Sequence, residues 1–320
     1  VIFPFAVKGQ ISYSFTAIMV VILGLSGVLE FFAMRKFRVL LTAAQKSYII
    51  SAAQIISSII NFLIIYFLAV YRVNVALVYF LAIFSIIIRL VILSIYIKKK
   101  FPKINYDEKP DEKALINRYD ALFQQVLNII QMAAPITLIT IFCGLKEVSV
   151  YSVYYMVFGA LNSLLLVFNN SVYPSFGDVI SRKQLETLRN SYSIYETLFF
   201  VILSWCYSSA AILITPFISI YTKGVLDVVY VRPTLAFVFV LSGLAYNIKT
   251  VQGSLIISAG HFRQTRYRAL FQGLINISVS FMLVKPFGII GVLIGGICSD
   301  IYRTLDLIFY INKNIVKTNP

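Results

Sequence analysis

The residues able to do chemistry are a few ionisable side chains inside long apolar runs, where a charge near a bilayer centre costs about 2.5 to 3.5 kcal/mol on insertion scales. Arg89, in SIIIRLVILSIYIKKKFPK, is the clearest. It precedes Lys98 by nine residues, which at about 1.5 Å per helical residue puts it roughly 13 Å inside the charged helix end. A long stem can snorkel back to the headgroups, but that depth favours a polar cavity. Lys249 stands in AYNIKTVQGS beside Asn247, Thr250 and Gln252. It reads equally as a cavity group or as an interfacial lysine. Asp300, Arg303 and Asp306 repeat at i, i+3, i+6, so neighbours can pair along one helix side; Asp306 reads as part of such a self-neutralising cluster. Asp300, Glu30 and Glu196 are the carboxylates available to couple an ion, although Glu30 and Glu196 fall near helix ends and read first as interfacial. Asn128 and Gln131, at i, i+3 in NIIQMAAP, either line a lumen or join helices by hydrogen bonds.

Other chemistries lack their residues. Cys143, Cys206 and Cys298 occur singly, and His261 is the only histidine, beside Arg263, Arg266 and Arg268. Neither a zinc site nor a disulfide framework is indicated. Asp107, Glu108, Asp111 and Glu112 alternate with lysines around prolines, the pattern of a solvated charge run. Nucleophile elbows, phosphate-binding glycine loops and HExxH are missing. The expectation is a protein without catalytic centre, metal or cofactor.

The elements that must position these groups are membrane helices. Of the 320 residues, 59% are hydrophobic and 13% charged, too little polar surface to coat a soluble globule. Runs near the roughly 20 residues that span a bilayer fall at about 11–32, 48–70, 74–97, 122–143, 148–172, 193–221, 232–258, 268–285 and 287–310. The net charge of +15 does not indicate nucleic acid, because Lys and Arg crowd alternate connections. Arg35 to Lys46, Lys98 to Arg118, Arg182 to Arg189, Lys249 to Arg268 and Arg303 to Lys317 are dense; between them stand only single bases such as Arg72, Lys146 and Lys223. By the positive-inside pattern the dense connections face the cytoplasm, as does the C-terminus. Residues 105–119 read as a cytoplasmic linker between membrane halves 1–104 and 120–320. RKQLETLRNSY reads as a short amphipathic surface helix, and Pro216 as a kink or stop in its span. The aromatic stretch YSVYYMVF could stack on sugars, though helix packing accounts for most such residues.

FRVLLTAAQKSYIISAAQII, YIKKKFPKI, LKEVSVYSVYYMV, PSFGDVISRKQ and FGIIGVLIG resemble, in order, the Wzx-type oligosaccharide and polysaccharide flippases of the multidrug/oligosaccharidyl-lipid/polysaccharide (MOP) exporter superfamily. The resemblance implies an all-α polytopic fold of two six-helix lobes around a cavity, alternating access, and transfer of an undecaprenyl-pyrophosphate-linked oligosaccharide from the cytoplasmic to the outer leaflet of the bacterial cytoplasmic membrane. It implies that three further helices precede this chain in the first lobe. Arg89, Lys249 and Arg303 match places where relatives carry basic residues, and Asn128 and Gln131 join them as cavity candidates. Implied partners are the lipid-linked glycan, membrane lipids, a polysaccharide polymerase and glycosyltransferases. Relatives carry an acid in the helix before LKEVSVYSVY, where this chain has Pro135, which puts ion coupling there in doubt. The rivals are a multidrug or cation exporter of the same superfamily, which would want acidic cavity residues; a membrane glycosyltransferase or polymerase, which would want a large charged outer loop; and a non-transporting scaffold, which leaves buried charge unexplained.

Overall fold

The structure is a computed structural model that describes residues 13–44, 46–101 and 118–317. Lipid leaves an apolar chain few ways to satisfy its backbone, and the helix is the local one; the described residues form no strand. Helix α1 is Tyr13–Ala43, α2 Ser47–Val70 and α3 Val75–Lys100. Helix α4 is Arg118–Phe142, α5 Leu145–Ser181 and α6 Leu185–Tyr221. Then come α7 Pro233–Ile248, α8 Thr250–Ala259, α9 Phe262–Phe287, α10 Ile289–Ile311 and a π turn, Asn312–Val316. The chain divides into two compact units, Val1–Pro110 and Asp111–Pro320. The predicted linker lies outside the described residues except for its last two positions, which begin α4.

Nine spans are predicted; among the described residues, eight helices are long and apolar enough to cross a membrane, with α7 and α8 read through as one. The ninth, α10, has 23 residues and so the length, about 34 Å, but Asp300, Arg303 and Asp306 lower its apolarity. Several helices also outrun their predicted ends. Positions 35 to 38, expected in a loop, belong to α1. Helix α5 takes in PSFGDVIS with Pro174 inside it, and α9 takes in Arg263, Arg266 and Arg268. The predicted surface helix at 182–192 is, from Leu185 on, the start of α6. Leu, Glu, Arg and Gln are good helix formers, so α6 and α9 start before their apolar runs. Pro216 neither ends nor directly precedes the end of α6, which runs on to Tyr221.

In the first unit α3 packs on both α1 and α2. Leu41, Ala53, Leu93 and Ile97 form its small core. Asn74 starts α3 as an N-cap, its side-chain oxygen accepting the Ala76 N–H at 2.9 Å.

The second unit is larger. Helix α10 packs on α9, α7, α8 and α4, and α5 packs on α6, α7 and α8. The α9–α10 hairpin turns at Gly288, whose φ of +56° and ψ of −130° suit only glycine. It closes tightly because Gly295 has no side chain: a Cβ there would overlap Ser280 and lie 2.9 Å from the Asn276 carbonyl oxygen. Phe239 anchors the core, its ring stacked 5.2 Å from Tyr154 and 5.5 Å from Phe158. Tyr151, Tyr154 and Phe158 of YSVYYMVF are thus core residues. Ile212, Leu213 and Ile220 of α6 are exposed, as a lipid-facing surface requires.

Candidate functional site

The first unit carries an open cavity of about 340 Å³, and its polar lining follows from helical spacing. On α1, Ser26 and Glu30 are one turn apart. On α2, Gln54, Ser57, Ser58 and Asn61 repeat at i, i+3, i+4, i+7 on an otherwise apolar helix. On α3, Ser85 and Arg89 are one turn apart. Residues so spaced share a helix face, and the three faces converge. The α2 stripe is the part of the site that the reading of charged groups misses; its periodicity was the signal.

Arg89 is 3% exposed. Its Nη2 forms an ion pair with Glu30. The two partners differ in access: the Arg89 side chain is 4% exposed, that of Glu30 42%. The Arg89 Nε–H is buried without an acceptor, an uncommon state for a guanidinium. The hydroxyls around it spend their protons on backbone: Ser57 donates to the Ser85 carbonyl (2.7 Å), Ser85 to that of Ala82 (2.7 Å) and Ser26 to that of Leu23 (2.8 Å). Their oxygen lone pairs remain as acceptors.

Lys249, Asp300 and Arg303 lie in the second unit. Lys249 is the single residue between α7 and α8. Two positions earlier, the Asn247 amide lies 2.8 Å from the Gly243 carbonyl and 2.6 Å from Asn162 Oδ1. A side chain inserted into the carbonyl ladder in this way weakens a helix locally. Lys249 forms an ion pair with Asp300 and lies 4.8 Å from the centre of the Tyr246 ring. Gln272 donates to the same Asp300 oxygen at 3.1 Å. Asp300 therefore pairs across helices rather than with Arg303 as the spacing suggests. Arg303 instead holds Asp306 at 3.0 Å, and Arg268 of α9 reaches the other Asp306 oxygen.

The remaining candidates scatter. Glu196 accepts from Tyr192 (2.8 Å) and Gln252 (2.7 Å), within a packed hydrogen-bond network. Gln131 Nε2 is buried without a partner, facing Gly273 of α9, while Asn128 is exposed. His261 shares a hydrogen bond with the Tyr310 hydroxyl at 3.0 Å. Glu147, in the first turn of α5, and Arg232, just before α7, form a two-point pair, both contacts 2.7 Å. That bond, ahead of the opposing burial, raises the Arg232 pKa. Among the described residues no cluster of three His, Cys, Asp or Glu could hold a metal.

Chemically, the first-unit cavity offers one strong fixed donor, a displaceable acid and a ring of neutral acceptors. The second unit offers Lys249 paired with Asp300, and Asp306 shared between Arg303 and Arg268. Arg89, Lys249 and Arg303 each hold a carboxylate.

No protein-family model matches the sequence, and no curated protein is similar enough to count as a relative. The fold is found among solved structures. An inward-facing multidrug resistance MATE family transporter of the MOP superfamily superposes with a TM-score of 0.67 at 13% identity, over 89% of this chain and 68% of its own. An outward-facing one gives 0.62 at 15% identity, over 84% and 63%. A MATE in the straight conformation gives 0.61 at 16% identity, over 84% and 63%. The chain thus has the helical fold of these transporters and spans about 63% of the length of the latter two.

Proposed function

We propose that the chain is the larger part of a MOP-superfamily exporter that moves an undecaprenyl-pyrophosphate-linked oligosaccharide from the cytoplasmic to the outer leaflet of a bacterial cytoplasmic membrane. The observation that carries this reading is Arg89: a 3% exposed guanidinium lining a polar cavity with one N–H unclaimed. A buried arginine with spare donors suits a phosphate oxyanion, because charge-assisted, two-point hydrogen bonds are the strong ones. Rocking of one helical lobe against the other then re-exposes the loaded site on the opposite side. Lys249 and Arg303 are secondary basic sites, available once Asp300 and Asp306 let go. Asp300 and Glu30 are the carboxylates placed to take up a coupling ion. A polysaccharide polymerase and glycosyltransferases would act after and before this step.

The second reading is a multidrug exporter, favoured by the MATE fold and by the 42% exposed Glu30 carboxylate, which would attract a cationic drug. Complementation separates the two. The full-length gene should restore surface glycan to a flippase-deficient strain, and Arg89→Gln should lower that export at least tenfold. Unchanged export in Arg89→Gln, or resistance to cationic dyes without glycan export, would favour the drug exporter.

A further inference from the structure

Arg89 and Glu30 form a buried-to-open pair rather than a symmetrical one. The base is fixed on α3 with its side chain 4% exposed, and the acid stands on α1 with 42% of its side chain open. Glu30 engages Nη2 alone and leaves the adjacent Nε–H without an acceptor. Glu147 and Arg232, by contrast, use both donors of the fork. Here the carboxylate takes one donor of a fork and stays within reach of solvent.

We infer that Glu30 is a resident stand-in for the ligand's oxyanion, a displaceable internal ligand of Arg89 that regulates the affinity of the same site. The inference rests on the pyrophosphate reading above. A phosphate oxygen pair that enters the cavity takes both Nε–H and Nη2–H, one more donor than Glu30 uses, and so outcompetes a carboxylate of equal or smaller charge. The freed Glu30 loses little, since its side chain already meets solvent and the acceptor-rich wall repels it into the open. When the ligand is to leave, the same carboxylate returns to the guanidinium and drives release. Without such a competitor a buried arginine would hold a pyrophosphate too tightly for turnover. Gln54 and Asn61, with the serine oxygens, are placed to accept hydroxyl donors of whatever the phosphate carries.

The test uses the full-length protein in lipid nanodiscs, with inorganic pyrophosphate and farnesyl pyrophosphate as probes in calorimetric titrations, alongside glycan export in cells. Glu30→Gln should bind the probe about tenfold more tightly than the parent while export falls at least fivefold; a merely structural role would lower both together. A gain seen with both probes assigns the competition to the pyrophosphate itself, and a gain with farnesyl pyrophosphate alone assigns it to the lipid-borne headgroup; either upholds the inference. Should Glu30→Gln fail to fold, Glu30→Asp, whose shorter side chain reaches Arg89 less well, should show the same divergence at about threefold. If the parent binds, Arg89→Gln does not, and removing the Glu30 charge brings no gain, the stand-in role is wrong and the anchor survives. If parent and Glu30→Gln both ignore both probes, or Arg89→Gln binds as the parent does, the pyrophosphate reading itself fails.

Discussion

Lys249 and Asp300 meet across the second unit, the base at the one residue that interrupts α7 and α8, the acid within α10. Their side chains are 16% and 10% exposed. At that burial the pair contributes little over two apolar residues, but a single partner left behind is costly. Lys249→Met alone should destabilise by about 3 to 5 kcal/mol, and Lys249→Met with Asp300→Leu should recover most of that. Melting temperatures of the four proteins in one detergent check it; equal loss in the single and double variants would contradict the argument.

The α9–α10 hairpin depends on Gly295. A methyl group there meets Ser280 and the Asn276 carbonyl oxygen, which are partly backbone and cannot rotate away. Gly295→Ala should cost about 1 to 3 kcal/mol, as overpacking does. Adding Ser280→Ala should relieve only part of the loss, because the backbone contacts stay. Full rescue by that second change would show that the hydroxyl alone was the obstacle.

Glu147 and Arg232 allow a prediction about pH. The Glu147 hydrogen bond raises the Arg232 pKa above an already very basic value. A base so raised contributes stability below its unfolded pKa and loses it only as pH climbs through the folded one. Both lie far above physiological pH, so between about pH 6 and about pH 9 the Arg232 contribution stays constant. With the side chains 33% and 28% exposed, a double-mutant cycle should give about 1 kcal/mol. The same coupling is expected at both ends of the range; a coupling that halves by about pH 9 would refute the assignment.

The polar stripe of α2 predicts a separation of folding from transport. Ser58→Leu or Asn61→Leu adds apolar bulk to the cavity wall and leaves the buried Ser57–Ser85 contact in place. Both variants should insert and accumulate normally, while export falls about tenfold or more through the blocked cavity. Immunoblots of membranes alongside surface glycan measure the two; wild-type export in either variant removes that face from the path.

Arg89 was legible in the sequence because a lone charge within an apolar run has no ordinary excuse. Its partner was not: Glu30 lies 59 positions away, and only the packing of α1 on α3 brings them together. The helices were legible as apolar runs, but their ends were not, since polar helix formers carry α6 and α9 beyond those runs. The break at Lys249 has no proline or adjacent glycine to announce it. It accompanies an amide contact from Asn247 to the Gly243 carbonyl, a tertiary choice shared with Asn162 and Tyr207. The i, i+3 logic for Asp300 and Arg303 failed because Lys249 reaches Asp300 from another helix, a contact that spacing along α10 cannot reveal.

The pairing of the buried bases has an electrical consequence. Each unpaired elementary charge carried across a membrane potential is worth about 2.3 kcal/mol per 100 mV. Arg89, Lys249 and Arg303 each travel with a carboxylate of their own unit, so a rigid swing of either unit moves almost no net charge from these residues through the field. Under the proposed export function, the unloaded protein should therefore produce only faint charge-displacement currents on a supported membrane, and voltage should act through the charge of the proposed ligand.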